Sequence, residues 1–152
     1  MRKRFTVFSN LFSKLDVHWH KLAVREMSKY ELSSSHAVYL HALYEAGQEG
    51  ITAAELAKAC EKNKGDVSRM VAILIRKGLV KKVAVGRNMY RAKLVLTEKG
   101  IAAAEQVQQR AEMAVELVGE GLSNEEKDTF FKALEVITNN LQKLNEDGIP
   151  RQ

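Results

Sequence analysis

Two helix-start signatures eleven residues apart constrain this chain more than anything else in it. Thr52 opens T-A-A-E, in which the threonine oxygen can accept from the amide of Glu55 while the Glu55 carboxylate reaches back to the amide of Thr52. Asn63 opens N-K-G-D, a second cap with Asp66 at the third helical position, where a carboxylate also suits the positive end of the helix dipole. Only a short helix over about 53–60, burying Leu56 and Ala57, and a tight turn fit between the two caps. In the helix after Asn63, the residues Val67, Met70, Val71 and Leu74 fall at spacings of three, one and three, which predicts an inward face. Lys77 and Gly78 close that helix with a cation near the negative pole and a glycine for the left-handed cap. Two β-prone stretches follow, 79–84 and 89–96, separated by Val85, Gly86, Arg87 and Asn88, so a hairpin is the economical reading. Residues 52–100 therefore read as helix, turn, helix and basic hairpin, the layout of a winged helix-turn-helix.

Charge follows the same segment. Residues 1–50 are net +2, residues 51–100 carry 12 basic and 4 acidic side chains for a net +8, and residues 101–152 are net −5. A basic centre beside an acidic tail predicts a localised polyanion-binding face. On the second helix the outward residues Lys64, Gly65, Ser68 and Arg69 occupy the first two turns, the part of a recognition helix that reaches base edges and phosphates in a major groove. On the hairpin, Arg87 with Asn88 near the tip and Arg91 on the return strand are placed to meet phosphates or a minor groove, because guanidinium is planar, charged and multidentate. Lys81, Lys82 and Lys93 add general attraction to a phosphate backbone. Double-stranded DNA is the expected partner; a winged module for protein contact without DNA readout is the competing reading, and it does not require a basic middle third.

The flanks are amphipathic. Phe8, Phe12, Leu15, Trp19 and Leu22 recur at steps of four, three, four and three within a helix over 5–27. A second helix is expected over 34–46, capped by Ser33 or a neighbour, offering Val38, Leu40, Ala42 and Leu43, and stopped by Gly47. Beyond the hairpin a helix runs from Thr97 to Gly119, and S-N-E-E at 123–126 is a further capping box opening a last helix. There Phe130, Leu134, Ile137, Leu141 and Leu144 again recur at four, three, four and three. Such seams have little to pack on within a small winged lobe, so the terminal helices of two chains are expected to interleave into a homodimer. The expected organisation is one domain over 1–152, mainly α with a small β wing: a winged helix-turn-helix lobe at 34–100, dimerisation helices at 1–29 and 101–147, and a frayed tail at 148–152.

Other classes have less support. No apolar run approaches the roughly 18 to 20 residues of a membrane span, and the start lacks the apolar core of a signal peptide, so no membrane partner and a cytoplasmic location are expected. There is no glycine-rich phosphate loop, no G-x-S-x-G, no H-E-x-x-H and no convincing carboxylate pair, so no enzyme is expected. Neither a metal nor a cofactor is expected: His18 and His20 are two apart on a helix, and His36 and His41 five apart, outside the three-or-four step that converges two ligands. These imidazoles read as surface or half-buried groups. Cys60, the only cysteine, reads as a small buried hydrophobe rather than a redox switch, although a metal- or redox-responsive regulator is the alternative within the same fold.

The order of elements and several strings resemble the multiple-antibiotic-resistance regulator (MarR) family of bacterial winged-helix transcription factors. The resemblance rests on Ile51, Thr52, Glu55, Leu56 and Ala57; on Val67, Ser68, Arg69, Leu74, Lys77, Gly78, Leu79 and Val80; and on Leu96, Thr97, Glu98, Lys99 and Gly100. It implies a homodimer on a pseudo-palindromic operator, usually a repressor, often released by a small anionic or aromatic effector. It matches Ser68 and Arg69 to recognition-helix contacts and Arg91 to the wing arginine. It also places His18, Trp19, Tyr30, His41 and Tyr44 where an effector pocket would be assembled. The chain departs from the family at Met89, where a wing aspartate is usual, and at Ala72 and Ile73, where an aspartate-arginine pair is common. The ion pairs that brace the wing in that pattern are therefore not expected in their usual places.

Overall fold

A computed structural model of the chain describes residues 2–85 and 88–149, excluding the side chains of residues 2, 5, 85 and 88–91. Among the described residues, six α-helices and three strands run in the order α1 Arg2–Met27, α2 His36–Glu45, β1 Ile51–Thr52, α3 Ala53–Ala59, α4 Lys64–Arg76, β2 Val80–Val85, β3 Asn88–Leu96, α5 Glu98–Val118 and α6 Asn124–Asp147. Short 3₁₀ turns at Ser28–Tyr30 and Gly47–Glu49 flank α2. The chain divides into two compact units, residues 1–111 and 112–152.

In the first unit the three caps read from local spacing behave differently. Thr52 and Glu55 form the reciprocal capping box of α3, with the Thr52 amide donating to Glu55 Oε2 at 2.8 Å and the Glu55 amide to Thr52 Oγ1 at 3.2 Å. Asn63 caps α4 by accepting from the Asp66 amide at 2.9 Å. Ser33, in contrast, puts no side chain on a helical amide: its hydroxyl meets His36 Nδ1 at 2.7 Å, and its carbonyl accepts the His36 amide at 3.0 Å. The imidazole engages Ser33 itself, with the Ser33 amide 3.1 Å from Nδ1, and α2, with Ser35 at its N-cap, starts without a side-chain cap. His36 is thus buried, contrary to the expected surface or half-buried group, and Nε2 is the buried side-chain polar atom without a partner among the described residues.

The core forms where the inward faces of α2, α3 and α4 meet the sheet. Tyr39, Leu40 and Leu43 come from α2, Leu56 and Ala57 from α3, Val67, Val71 and Leu74 from α4, and Leu79, Val80, Leu94 and Leu96 from the sheet and the turn before it. Val38, expected to supply apolar surface, is 48% exposed, because the inward face of α2 runs through 36, 39, 40 and 43. The sheet order is β1-β3-β2, all antiparallel; Ile51 pairs with Leu94, and Val80 with Leu96. β2 and β3 form the expected hairpin, closing with Val85 opposite Asn88, and the register shifts between Val83 and Val85.

The hairpin returns to the helices through a tightly stitched joint. The Thr97 amide donates to the Leu79 carbonyl at 3.0 Å, the Thr97 hydroxyl to the Gly78 carbonyl at 2.6 Å, and the Gly100 amide to Thr97 Oγ1 at 3.0 Å. Gly100 lies so close to the turn before β2 that a Cβ there would fall 1.9 Å from the Leu79 carbonyl oxygen, so this position admits only glycine without backbone movement. Gly78 takes φ +71 after the C-cap Lys77, as a left-handed cap requires.

The second unit is the end of α5, a turn through Gly119 and Gly121, and α6. Ser123 and Glu126 form its capping box, and Lys127 pairs with Glu116 at 2.9 Å. No residue of α6 is buried.

Candidate nucleic-acid interface

The helix-turn-helix presents one face of α4. With Val67, Val71 and Leu74 turned into the core, Lys64, Gly65, Ser68 and Arg69 are all exposed, so the four residues expected on the recognition face share one solvent-facing surface at the start of the helix. Arg69 is 73% exposed and its guanidinium is ion-paired with Asp66, one turn back, which Asn63 also holds through a 2.7 Å bond from Nδ2 to Oδ2. This Asn63–Asp66–Arg69 chain follows from the spacing of three and gives Asp66 a second role beside that of cap partner. The pair is worth about 0.2–1 kcal/mol at such exposure, so it can orient Arg69 and still release it to a phosphate or base.

A cleft of about 710 Å³ separates α4 from the sheet, with Lys64, Ser68, Arg76 and Lys82 around it and Val67, Val71 and Leu94 among its apolar lining. Arg76 and Lys82 thereby join the basic face. Arg87 lies outside the described residues, and so do the side chains of Asn88 and Arg91, whose backbones belong to β3.

The residues expected around an effector are distributed along the first unit. His18 and Trp19 are exposed on α1, and His41 is exposed on α2. Tyr30 and Tyr44 are half-buried and both reach α5, the Tyr30 hydroxyl donating to Gln106 Oε1 at 3.1 Å and that of Tyr44 to Glu105 Oε1 at 3.3 Å. The Glu105 carboxylate pushes the Tyr44 phenol upward from its ordinary range. Nearby, Arg110 and Lys29 hold Glu26 down at about 2, tying the end of α1 to α5. Cys60 is buried and burial raises its thiol, which disfavours the reactive thiolate. Among the described residues no three His, Cys, Asp or Glu side chains are grouped to hold a metal, and no helix is long and apolar enough to cross a membrane.

These elements define a winged helix-turn-helix protein, mainly α with a small β wing. Residues 30–88 match the model of the MarR family, so the resemblance read from the sequence is shown over the segment that carries α2 to the wing. Similar solved structures include the S. aureus MepR-DNA complex, at 23% identity over 88% of this chain and 96% of that chain with a TM-score of 0.77. A MarR transcriptional regulator from Methanosarcina mazei Go1 is 19% identical over 91% of this chain and 99% of that chain, with a TM-score of 0.80. A MarR protein from Peptoclostridium difficile is 19% identical over 90% and 88%, with a TM-score of 0.79. No curated protein matches the sequence.

Proposed function

We propose that this chain is a sequence-specific DNA-binding transcription regulator that works as a homodimer in the cytoplasm. The observation that carries the reading is the face of α4: Lys64, Gly65, Ser68 and Arg69 stand exposed on its first two turns while the opposite face is locked into the core. The net +8 of residues 51–100 supplies the sequence-independent attraction to phosphate, and Arg76 and Lys82 extend it along the cleft beside the wing. Arg87, Asn88 and Arg91, assigned to the wing from the sequence, are proposed as further contacts to the phosphates or a minor groove. The similar S. aureus MepR has been captured with DNA, which favours the same partner here.

Two copies are needed for the reading to hold together. α1 exposes Phe8, Leu11, Phe12 and Leu15, and α6 exposes Phe130, Leu141 and Leu144, apolar surface that a second chain would cover. A two-fold dimer presents two recognition helices and so reads a pseudo-palindromic operator. Repression, with release by a small aromatic or anionic effector, completes the proposal.

Footprinting on the DNA flanking the protein's own gene tests it. The expected result is a protected pseudo-palindrome whose affinity falls about 10³-fold or more between 50 and 200 mM salt, as for a dimer that neutralises six or more phosphates. No protection at low salt, or an affinity indifferent to salt, would overturn the DNA-binding reading.

A further inference from the structure

The exposed start of α4 carries one residue of the wrong sign for a surface that meets phosphate. Asp66 is the only acidic residue in the sequence of α4, and it stands on the first turn among Lys64, Ser68 and Arg69. A carboxylate there opposes the attraction that the net +8 of residues 51–100 supplies. The helix start does not require it. Asn63 Oδ1 accepts from the Asp66 backbone amide at 2.9 Å, and every residue but proline offers that amide. The helix dipole favours an acid at this position, yet that preference is met whether or not an arginine stands one turn on.

Both carboxylate oxygens are committed. Oδ2 accepts from Asn63 Nδ2 at 2.7 Å, and Oδ1 takes Nη2 of Arg69. Asn63 is fixed in turn by its cap, so the carboxylate is steadied from the side of the turn and offers its other oxygen to the arginine. Asp66 has 32% of its side chain exposed against 73% for Arg69, so the acid is the anchor and the guanidinium the head that it aims.

The consequence differs between phosphate and base. A guanidinium has five N–H donors, and the pair engages it through Nη2. Enough donors remain for O6 and N7 of a guanine, so Arg69 can read that base edge while Asp66 still holds it. A phosphate oxygen that approaches the same guanidinium brings one anion against another. Phosphates are alike at every sequence, so this penalty falls on binding without sequence preference.

We infer that Asp66 is a specificity-determining residue, which aims Arg69 at a guanine edge and sets its carboxylate against phosphate contacts by the same guanidinium. The inference rests on the DNA-binding reading of α4 and goes beyond it in assigning discrimination to an acidic residue that itself weakens attraction to DNA.

Fluorescence anisotropy of the full chain on the footprinted promoter fragment and on a scrambled duplex of the same composition tests it. Asp66→Asn should bind the scrambled duplex about threefold more tightly per protomer, or about tenfold for a dimer, without gain on the promoter. Its salt dependence on the scrambled duplex should steepen by about 2 in log–log slope, as two guanidiniums move onto phosphate. Asn63→Ser keeps a capping oxygen and removes the Nδ2 that steadies the carboxylate, so it should lower the promoter preference about threefold. In an Arg69→Ala background, adding Asp66→Asn should change scrambled binding by less than about threefold, because the arginine is the group released. Circular dichroism checks that each variant is folded. An equal gain on both duplexes, or the full tenfold gain without Arg69, would make Asp66 a plain surface charge and overturn the inference. A parent that prefers its promoter, with that preference unmoved in Asp66→Asn and Asn63→Ser, would overturn it alone. A parent that binds neither duplex would remove the DNA-binding reading and this inference with it.

Discussion

In the winged lobe, Leu40, Leu43, Leu56, Val67 and Leu74 are no more than 1% exposed, whereas on α1 Phe8, Leu11, Phe12 and Leu15 remain 42% to 61% exposed, and on α6 Phe130, Leu141 and Leu144 remain 42% to 47% exposed. Both regions follow the same helical periodicity. The lobe's stripes converge on a sheet and on each other, and each buried Leu or Val gains about 1.5–3 kcal/mol from leaving water. The stripes of α1 and α6 gain little of this in one chain. Periodicity therefore reports that a face needs a partner; only the tertiary structure says whether the same chain supplies it. Here the short helices α2, α3 and α4 bury their stripes within the lobe, whereas the stripes of α1 and α6 stay exposed, which is what the proposed dimer would cover.

The contrast can be broken most forcefully at the core. Leu74→Ala should cost the lobe about 2–5 kcal/mol in urea unfolding, because Leu74 has no exposed surface and its cavity lies between α4 and the sheet. Phe12→Ser should instead shift the sedimentation equilibrium toward smaller species while leaving the lobe's own unfolding near the parent's. An equal loss in both variants would mean that α1 belongs to the same core.

A somewhat smaller effect is expected at the joint between wing and α5. Gly100→Ala must push a methyl into the Leu79 carbonyl, and the displacement should cost about 1–3 kcal/mol, seen as a lower Tm with loosened hairpin amide protection. A Tm unchanged from the parent would show that α5 slides without penalty.

The smallest effect concerns pH. Burial lowers the His36 imidazole below its ordinary range, outweighing its bond with Ser33. A histidine with a lowered folded pKa binds fewer protons folded than unfolded, so its contribution is complete above about 6.5 and declines as pH falls below that value. Thermal unfolding at pH 8 and pH 5 should show this acid loss in the parent and less of it in His36→Gln. An identical pH dependence in the two would show that His36 does not carry the acid sensitivity, since Glu26, held down at about 2, stays ionised across this range.

What could be read from sequence was whatever is local. The boxes Thr52–Glu55 and Ser123–Glu126 and the cap Asn63–Asp66 depend on residues three apart, and all are formed. The β-prone stretches 79–84 and 89–96 around a short turn likewise point to the hairpin that β2 and β3 form. What depends on distant partners was not legible: β1 is two residues long and exists through pairing with β3, so Ile51 and Thr52 gave no strand signal of their own. Tyr39 and His36 face inward in place of Val38 because the orientation of α2 is set by α3, α4 and the sheet. A cleft lined by Lys29, Arg76, Lys77 and Lys99 likewise draws on three segments, and no spacing within any one of them announces it. Asp66 is the instructive intermediate case. Its spacing from Arg69 was visible, yet its role as a cap partner hid its second role as the arginine's counter-ion.

The most direct test of the account is the operator affinity of Arg69→Ala beside the parent, measured at fixed salt on the footprinted promoter fragment, with sedimentation confirming the assembly of both. Arg69 projects from the lobe with 73% of its side chain exposed, so its removal should leave fold and assembly intact while abolishing specific binding. Equal affinity of variant and parent would contradict the claim that this face of α4 reads DNA.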